Sequence, residues 1–128
     1  MNSVFFAMDG DAIGKRLEQY IFTSDTAGLH TLSLGIQEDV RTVSALLRAQ
    51  GGTVHMEGGD NLLGECTQDA AAVLLRAVTQ INAHRAYHFS VGIADSMIGA
   101  YMALKYAKLS GKAAVRYVRE GFEEVPLP

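Results

Sequence analysis

The sequence predicts an α+β fold of the ferredoxin-like βαββαβ kind: an antiparallel sheet with helices on one face and one helix more than the minimal motif needs. Three observations predict it. Short apolar runs of strand length are separated by longer stretches of helical periodicity. Thr53 to Glu65, TVHMEGGDNLLGE, reads as a β-hairpin. The chain has 128 residues, 48% of them hydrophobic, which suffices for one core and makes residues 1–128 a single domain.

Val4 to Met8 is a nearly continuous apolar run, as expected of a strand buried on both faces, and it ends at Asp9. From Ala12 to Phe22, Ile13, Leu17, Tyr20 and Ile21 recur at helical spacing, and the free amides at that helix start (Ala12, Ile13, Gly14) favour an anion. Thr23 to Ala27 is polar and turn-like. Leu29, Leu32, Ile36, Val40, Val43 and Leu47 then mark a long amphipathic helix that stops before Gly51-Gly52, with Gln37, Glu38, Arg41 and Arg48 on a solvated face. In the hairpin, Val54–Met56 and Leu62–Leu63 flank a Gly58-Gly59-Asp60-Asn61 tip whose turn is expected to need positive φ. Thr67 can cap a third helix, with Ala70, Leu74, Ala77, Val78 and Ile81 on one face. His88 to Ala94 alternates, placing Phe89, Val91 and Ile93 under helices and His88, Ser90 and Gly92 on a small or polar face. Asp95 or Ser96 caps a helix running to about Ser110, Gly111 stops it, and Ala113 to Val118 forms a last, edge strand. Residues 120–128, with Pro126 and Pro128, form an irregular tail.

The formal net charge of −3 provides no positive field for long nucleic acid. The single cysteine, Cys66, cannot form an internal disulfide, which fits a reducing, cytoplasmic setting. No signal-peptide pattern and no apolar run near the ~20 residues of a membrane span is present, so no membrane partner is expected.

Two acidic turns carry the chemistry. Asp9 and Asp60 each follow or join an apolar strand, and the βαββαβ topology sets the first strand beside the hairpin, so the two carboxylates are expected to meet. Together with the Gly10 carbonyl they form an all-oxygen site of the kind Mg²⁺ or Mn²⁺ prefers, with phosphate oxygens as further ligands. Such a site, holding two ions, suits attack on the α-phosphorus of a nucleoside triphosphate. Gly58 and Gly59 leave the backbone open to a bulky anion. Lys105, Lys108 and Lys112 fall within a ~60° arc if helical geometry persists past Gly111 and could hold the triphosphate. The plainer readings are that acidic residues beside glycines are ordinary turn formers and that the lysines complement a helix dipole. Asp11 is either a ligand or the cap of the first helix. Asn61 either contacts base or ribose or serves the turn. His55 reads as an exposed or ligand-facing polar residue and not a metal ligand, Glu57 and Glu65 read as surface residues, and Cys66 has no nucleophile partner. No GxxxxGK[ST], CxxC or HExxH motif occurs.

FFAMDGDAIG, EGGDNL, VGIA and ALKYAKLSGKAAV, spread over nearly the whole chain, resemble the palm-type nucleotidyl cyclases. These include GGDEF diguanylate cyclases and the polymerase subunits of type III CRISPR complexes, and the match is best to the stand-alone minimal CRISPR polymerase family. The resemblance implies a palm domain in which Asp9, Asp60 and the Gly10 carbonyl bind metal and Lys108 and Lys112 hold the triphosphate. Asn61 stands where an acidic residue usually follows GGD, at a catalytic position. Leu17 occupies the ungapped position of the guanine-binding Asn of diguanylate cyclases, and no RxxD motif precedes the hairpin. The resemblance therefore implies ATP as substrate and a cyclic di- or oligoadenylate as product. Cyclic di-AMP is favoured, with a mixed 2′,3′ linkage allowed; pyrophosphate is released, and a messenger-responsive effector acts in antiviral defence. Cyclising two nucleotides needs two facing sites, hence a homodimer. The alternative is an inactive palm that binds a nucleotide as a sensor, and a plainer one is an assembly module whose acidic turns bind nothing.

Overall fold

The computed structural model describes residues 3–119 and 121–127. In chain order the elements are β1 (Ser3–Gly10), α1 (Ile13–Phe22), α2 (Thr26–Ala49), β2 (Thr53–Glu57), β3 (Asn61–Thr67), α3 (Gln68–His84), β4 (Phe89–Ala94), α4 (Met97–Ser110), β5 (Ala114–Val118) and β6 (Gly121–Glu124). The sheet order is β2-β3-β1-β4-β5-β6, and β1 lies between β3 and β4, antiparallel to both. That is the expected α+β, ferredoxin-like core. β5 runs parallel to β4 because a helix joins them, so the sheet is mixed and not wholly antiparallel.

Alternation along β1 sorts its side chains. Val4, Phe6 and Met8 point into the main core with Val40, Val43 and Leu47 of α2 and Leu74 and Val78 of α3. Phe5 and Ala7 point the other way and meet Ala100 and Leu104 of α4. The expectation of helices on one face therefore holds for α2 and α3 but not for α4, which covers the opposite face over β1, β4 and β5. Its seat is the small-residue side of β4. A Cβ on Gly92 would stand 2.2 Å from the Ala100 carbonyl oxygen and 2.3 Å from the Leu104 nitrogen, so only glycine lets this helix backbone lie so close.

The caps follow the sequence closely. Thr67 Oγ1 accepts from the Ala70 amide at 3.2 Å, and Ser96, not Asp95, caps α4 by accepting from the Gly99 amide at 3.1 Å. α2 starts earlier than expected, inside the polar stretch, because the Asp25 side chain accepts from the Gly28 amide at 2.9 Å. The tail is not wholly irregular: Gly121–Glu124 pairs antiparallel with β5, and Phe122 stacks on Tyr106 at 4.4 Å. Pro128 lies outside the described residues. Cys66 sits in the main core just before α3, where burial pushes its thiol up to about 11. A buried Asp39 on α2 accepts from Arg85 Nε at 3.0 Å and from the Tyr87 hydroxyl, tying α2 to the segment that leads into β4. No described helix is long and apolar enough to cross a membrane.

Candidate active site

The site grows from the end of β1. Asp9 shares the α4 side of the sheet with Phe5 and Ala7, and the register sets it between Asn61 on β3 and Ser90 on β4. One residue on, the Gly10 amide donates to the Asp60 carbonyl oxygen at 3.0 Å, which extends the ladder into the hairpin tip. The two aspartates expected to meet therefore do. Burial holds the Asp60 carboxyl above its usual range; the Asp9 charge and a side-chain hydrogen bond to Asp9 raise it further, against backbone hydrogen bonding and Lys108.

The turn itself differs from expectation, since neither Gly58 nor Gly59 takes positive φ. A Cβ on Gly58 would come within 2.5 Å of Asn61 Oδ1, so the Asn61 side chain would have to move to admit one. That oxygen is buried and has no hydrogen-bond partner among the described residues, while Asn61 Nδ2 reaches Asp60 Oδ1 at 3.5 Å.

Asp11 does not cap α1. The N-cap is Ala12, in the left-handed region at φ 54°, with no side-chain cap and no acidic residue in the first turn. The Asp11 amide donates to the His88 carbonyl at 2.8 Å, which turns its carboxylate toward β4, where it accepts from Ser90 Oγ at 2.8 and 2.9 Å. Lys108 Nζ donates to the Gly10 carbonyl at 2.8 Å and to Asp11 Oδ1 at 3.0 Å, and lies 3.4 Å from Asp9 Oδ2. The three lysines do not share an arc. α4 ends at Ser110 with Gly111 left-handed, so helical geometry does not reach Lys112, which instead lies 3.5 Å from Glu124 of β6. Lys105 is exposed over the Tyr101 ring at 5.1 Å and stands apart from the acidic group.

Two cavities flank the carboxylates. One of about 310 Å³ is lined by Ile13, Leu17, Ser33, Ile36, Gln37 and Asp60, with Gly14 and Gly59 at its edge. Gln37 is thus not on a merely solvated face; it is half-buried and its Nε2 donates to Ser33 Oγ at 3.0 Å. The other, of about 580 Å³, lies against Asp11, Ala12, His88, Ser90, Lys108 and Lys112. Ser33, Gln37, His88 and Ser90 escape sequence reading because they join the site through helix packing and strand register. Alternation did put Ser90 on the polar side of its strand.

Among the described residues no three His, Cys, Asp or Glu side chains cluster as a metal site. The donor set suits a hard cation all the same. Asp9, Asp60 and the Gly10 carbonyl are all oxygen, and an ammonium ion, that of Lys108, already sits against two of the three. Two carboxylates leave Mg²⁺ or Mn²⁺ room for the waters and phosphate oxygens it ordinarily keeps.

The sequence profile of the minimal CRISPR polymerase domain matches residues 5–118. Comparison with curated protein sequences gives no match. Among solved structures, a bacterial light-regulated adenylyl cyclase superposes with a TM-score of 0.67 at 13% identity over 91% of this chain and 43% of that one. The GGDEF domain of DgcB from Caulobacter crescentus, in complex with c-di-GMP, gives a TM-score of 0.65 at 16% identity over 89% of this chain and 77% of that one. The Csm1-Csm4 cassette in complex with cA4 gives a TM-score of 0.67 at 18% identity over 91% of this chain and 20% of that one. The chain spans less than half the length of the light-regulated cyclase, and at these identities the likeness is one of fold.

Proposed function

The chain belongs to the minimal CRISPR polymerase family, and on that premise we propose that it is a metal-dependent nucleotidyltransferase converting ATP to cyclic di-AMP, or a larger cyclic oligoadenylate, and pyrophosphate. The observation that carries this reading is the meeting of Asp9 and Asp60, distant in sequence, beside the Gly10 carbonyl and Lys108.

The two cavities divide the substrate between them. Ile13, Leu17 and Ile36 give the smaller one apolar walls for a flat base, and Ser33 and Gln37 supply donors and acceptors for an adenine edge. The larger one receives the triphosphate, with Lys108 and Lys112 as its cationic groups, and the uncapped first-turn amides of α1, at Ile13 and Gly14 beside the smaller cavity, favour an anion between the two. Lys108 exchanges its contacts with Gly10 and Asp11 for phosphate oxygens, and Asn61 orients the attacking ribose. A divalent cation held by Asp9, Asp60 and the Gly10 carbonyl would acidify that hydroxyl and offset charge on the departing pyrophosphate. The ribose oxygen bonds to the α-phosphorus of a second nucleotide, the bond from that phosphorus to the β-phosphate bridge breaks, and the hydroxyl proton passes to water. A second such step closes the ring.

A fold-related structure in complex with c-di-GMP and another in complex with cA4 support a cyclic oligonucleotide as the product class. We assign the protein to the cytosol as a homodimer, its product acting on a separate effector in antiviral defence. Incubation with each nucleoside triphosphate and Mn²⁺ or Mg²⁺, followed by mass analysis, tests the activity. A cyclic adenylate and one pyrophosphate per phosphodiester are expected. Saturable ATP binding without product would favour the sensor reading, to which Asn61 lends its one supporting observation.

A further inference from the structure

The outer face of α4 carries the wrong residues for a surface helix. Its sheet side holds Gly99, Ala100, Ala103, Leu104 and Ala107, and the bulky apolar residues point outward. Of the eleven exposed large hydrophobic side chains among the described residues, six (Met97, Ile98, Tyr101, Met102, Tyr106 and Leu109) lie on this one helix, with Leu109 at 87% and Ile98 at 65% exposure. At about 100° per residue, Ile98, Met102 and Leu109 fall within a ~40° stripe. Met97 and Tyr101 fall on the flank shared with Lys108. Apart from Lys105, which falls beside Ile98, the outer side of this helix is as apolar as a side that is normally covered.

We infer that this stripe is the surface through which a second copy of the chain docks, α4 against α4. Three observations select a second copy. The face carries no acidic residue and its outward lysine, Lys105, is held over the Tyr101 ring, so apolar contact, which needs no opposite charge on the partner, is what joins two identical faces. At roughly 200 Å² per large side chain these exposures amount to on the order of 600 Å² on a single helix, close to the roughly 800 Å² each partner gives to a stable interface. The flank of the stripe, at Met97 and Tyr101, leads to the site, because Lys108 leaves the helix on that flank to reach Gly10 and Asp11. The last point rests on the proposed activity, which needs two nucleotide sites within one assembly.

Light scattering of the full chain, without nucleotide, tests the docking apart from the chemistry. Wild type is expected to be a dimer and Ile98→Glu/Leu109→Glu a monomer with unchanged far-ultraviolet circular dichroism. Met102→Cys is expected to cross-link through a short bis-maleimide, since the one native thiol, Cys66, is buried. The double variant should bind ATP within about twofold of wild type while cyclic product falls at least about tenfold. A monomeric wild type overturns the inference, as does a double variant that stays dimeric or a monomeric chain that sediments with lipid vesicles through the same residues. A dimer that α4 charges dissolve but that yields no product from any nucleotide upholds the interface and sinks the activity instead.

Discussion

Asp60 is where the chain keeps a conflict unresolved. Its carboxyl is partly desolvated and faces Asp9, and the Lys108 charge offsets this only in part. Because the fold raises its pKa, the folded state holds the proton more tightly than the unfolded one. The stability that proton contributes is complete below the ordinary carboxylate value and is lost as pH rises through the raised value. Asp60→Asn removes the ionisation, so in metal-free buffer its melting temperature should exceed that of wild type at neutral pH. The difference should close as pH falls below the ordinary carboxylate range. Adding Mn²⁺ should reverse the order, since only the intact pair gains from binding the ion. Scanning calorimetry over pH, with chelator and then with Mn²⁺, measures both; a variant less stable than wild type in chelator at neutral pH would show that the carboxylates do not repel.

At the scale of elements, the contact between α4 and β4 decides where Lys108 ends up. Gly92 lets the backbone at Ala100 and Leu104 approach the sheet, and that approach carries Lys108 onto Gly10. Unlike a clash with a flexible side chain, this one is with backbone and cannot be relieved by rotation. Gly92→Ala should therefore cost about 3 kcal/mol or more and lower the melting temperature by on the order of 10 °C. ATP affinity should fall with it, because the helix that carries the lysine is lifted. A Gly92→Ala variant that melts and binds like wild type would mean that α4 is not seated as described. This contact was only half legible in the sequence. Strand alternation marked Gly92 as facing a small side, but nothing local said that a helix would fill it, since low side-chain volume fits an open face equally well. β6 was hidden for a related reason: four residues before a proline carry little periodicity, and their strand exists through pairing with β5 and stacking of Phe122 on Tyr106.

For the whole molecule, two bonds must form to close a ring, so two competent sites are needed in one assembly. Mixing wild type with excess Asp60→Asn chain under subunit exchange should therefore shift product from cyclic to linear dinucleotide, because a mixed dimer completes only one bond. Mass analysis of the mixture reads the ratio. A cyclic fraction that stays constant as the variant is titrated in would mean that one subunit does all the chemistry.

The sequence alone determined the order of the first five strands and the helices, the hairpin that holds Asp60, the cap at Thr67, and the approach of Asp60 to Asp9. All of these follow from local periodicity, turn residues and one topological rule. Tertiary structure alone decided that Asp11 turns to Ser90 and Lys108 instead of capping α1, and that Gln37 faces a cavity. It also separated Lys105 from Lys108. The physical reason is that a side chain's partner at such positions is set by strand register and by which face of the sheet a helix lands on, and those depend on packing between segments that are remote along the chain.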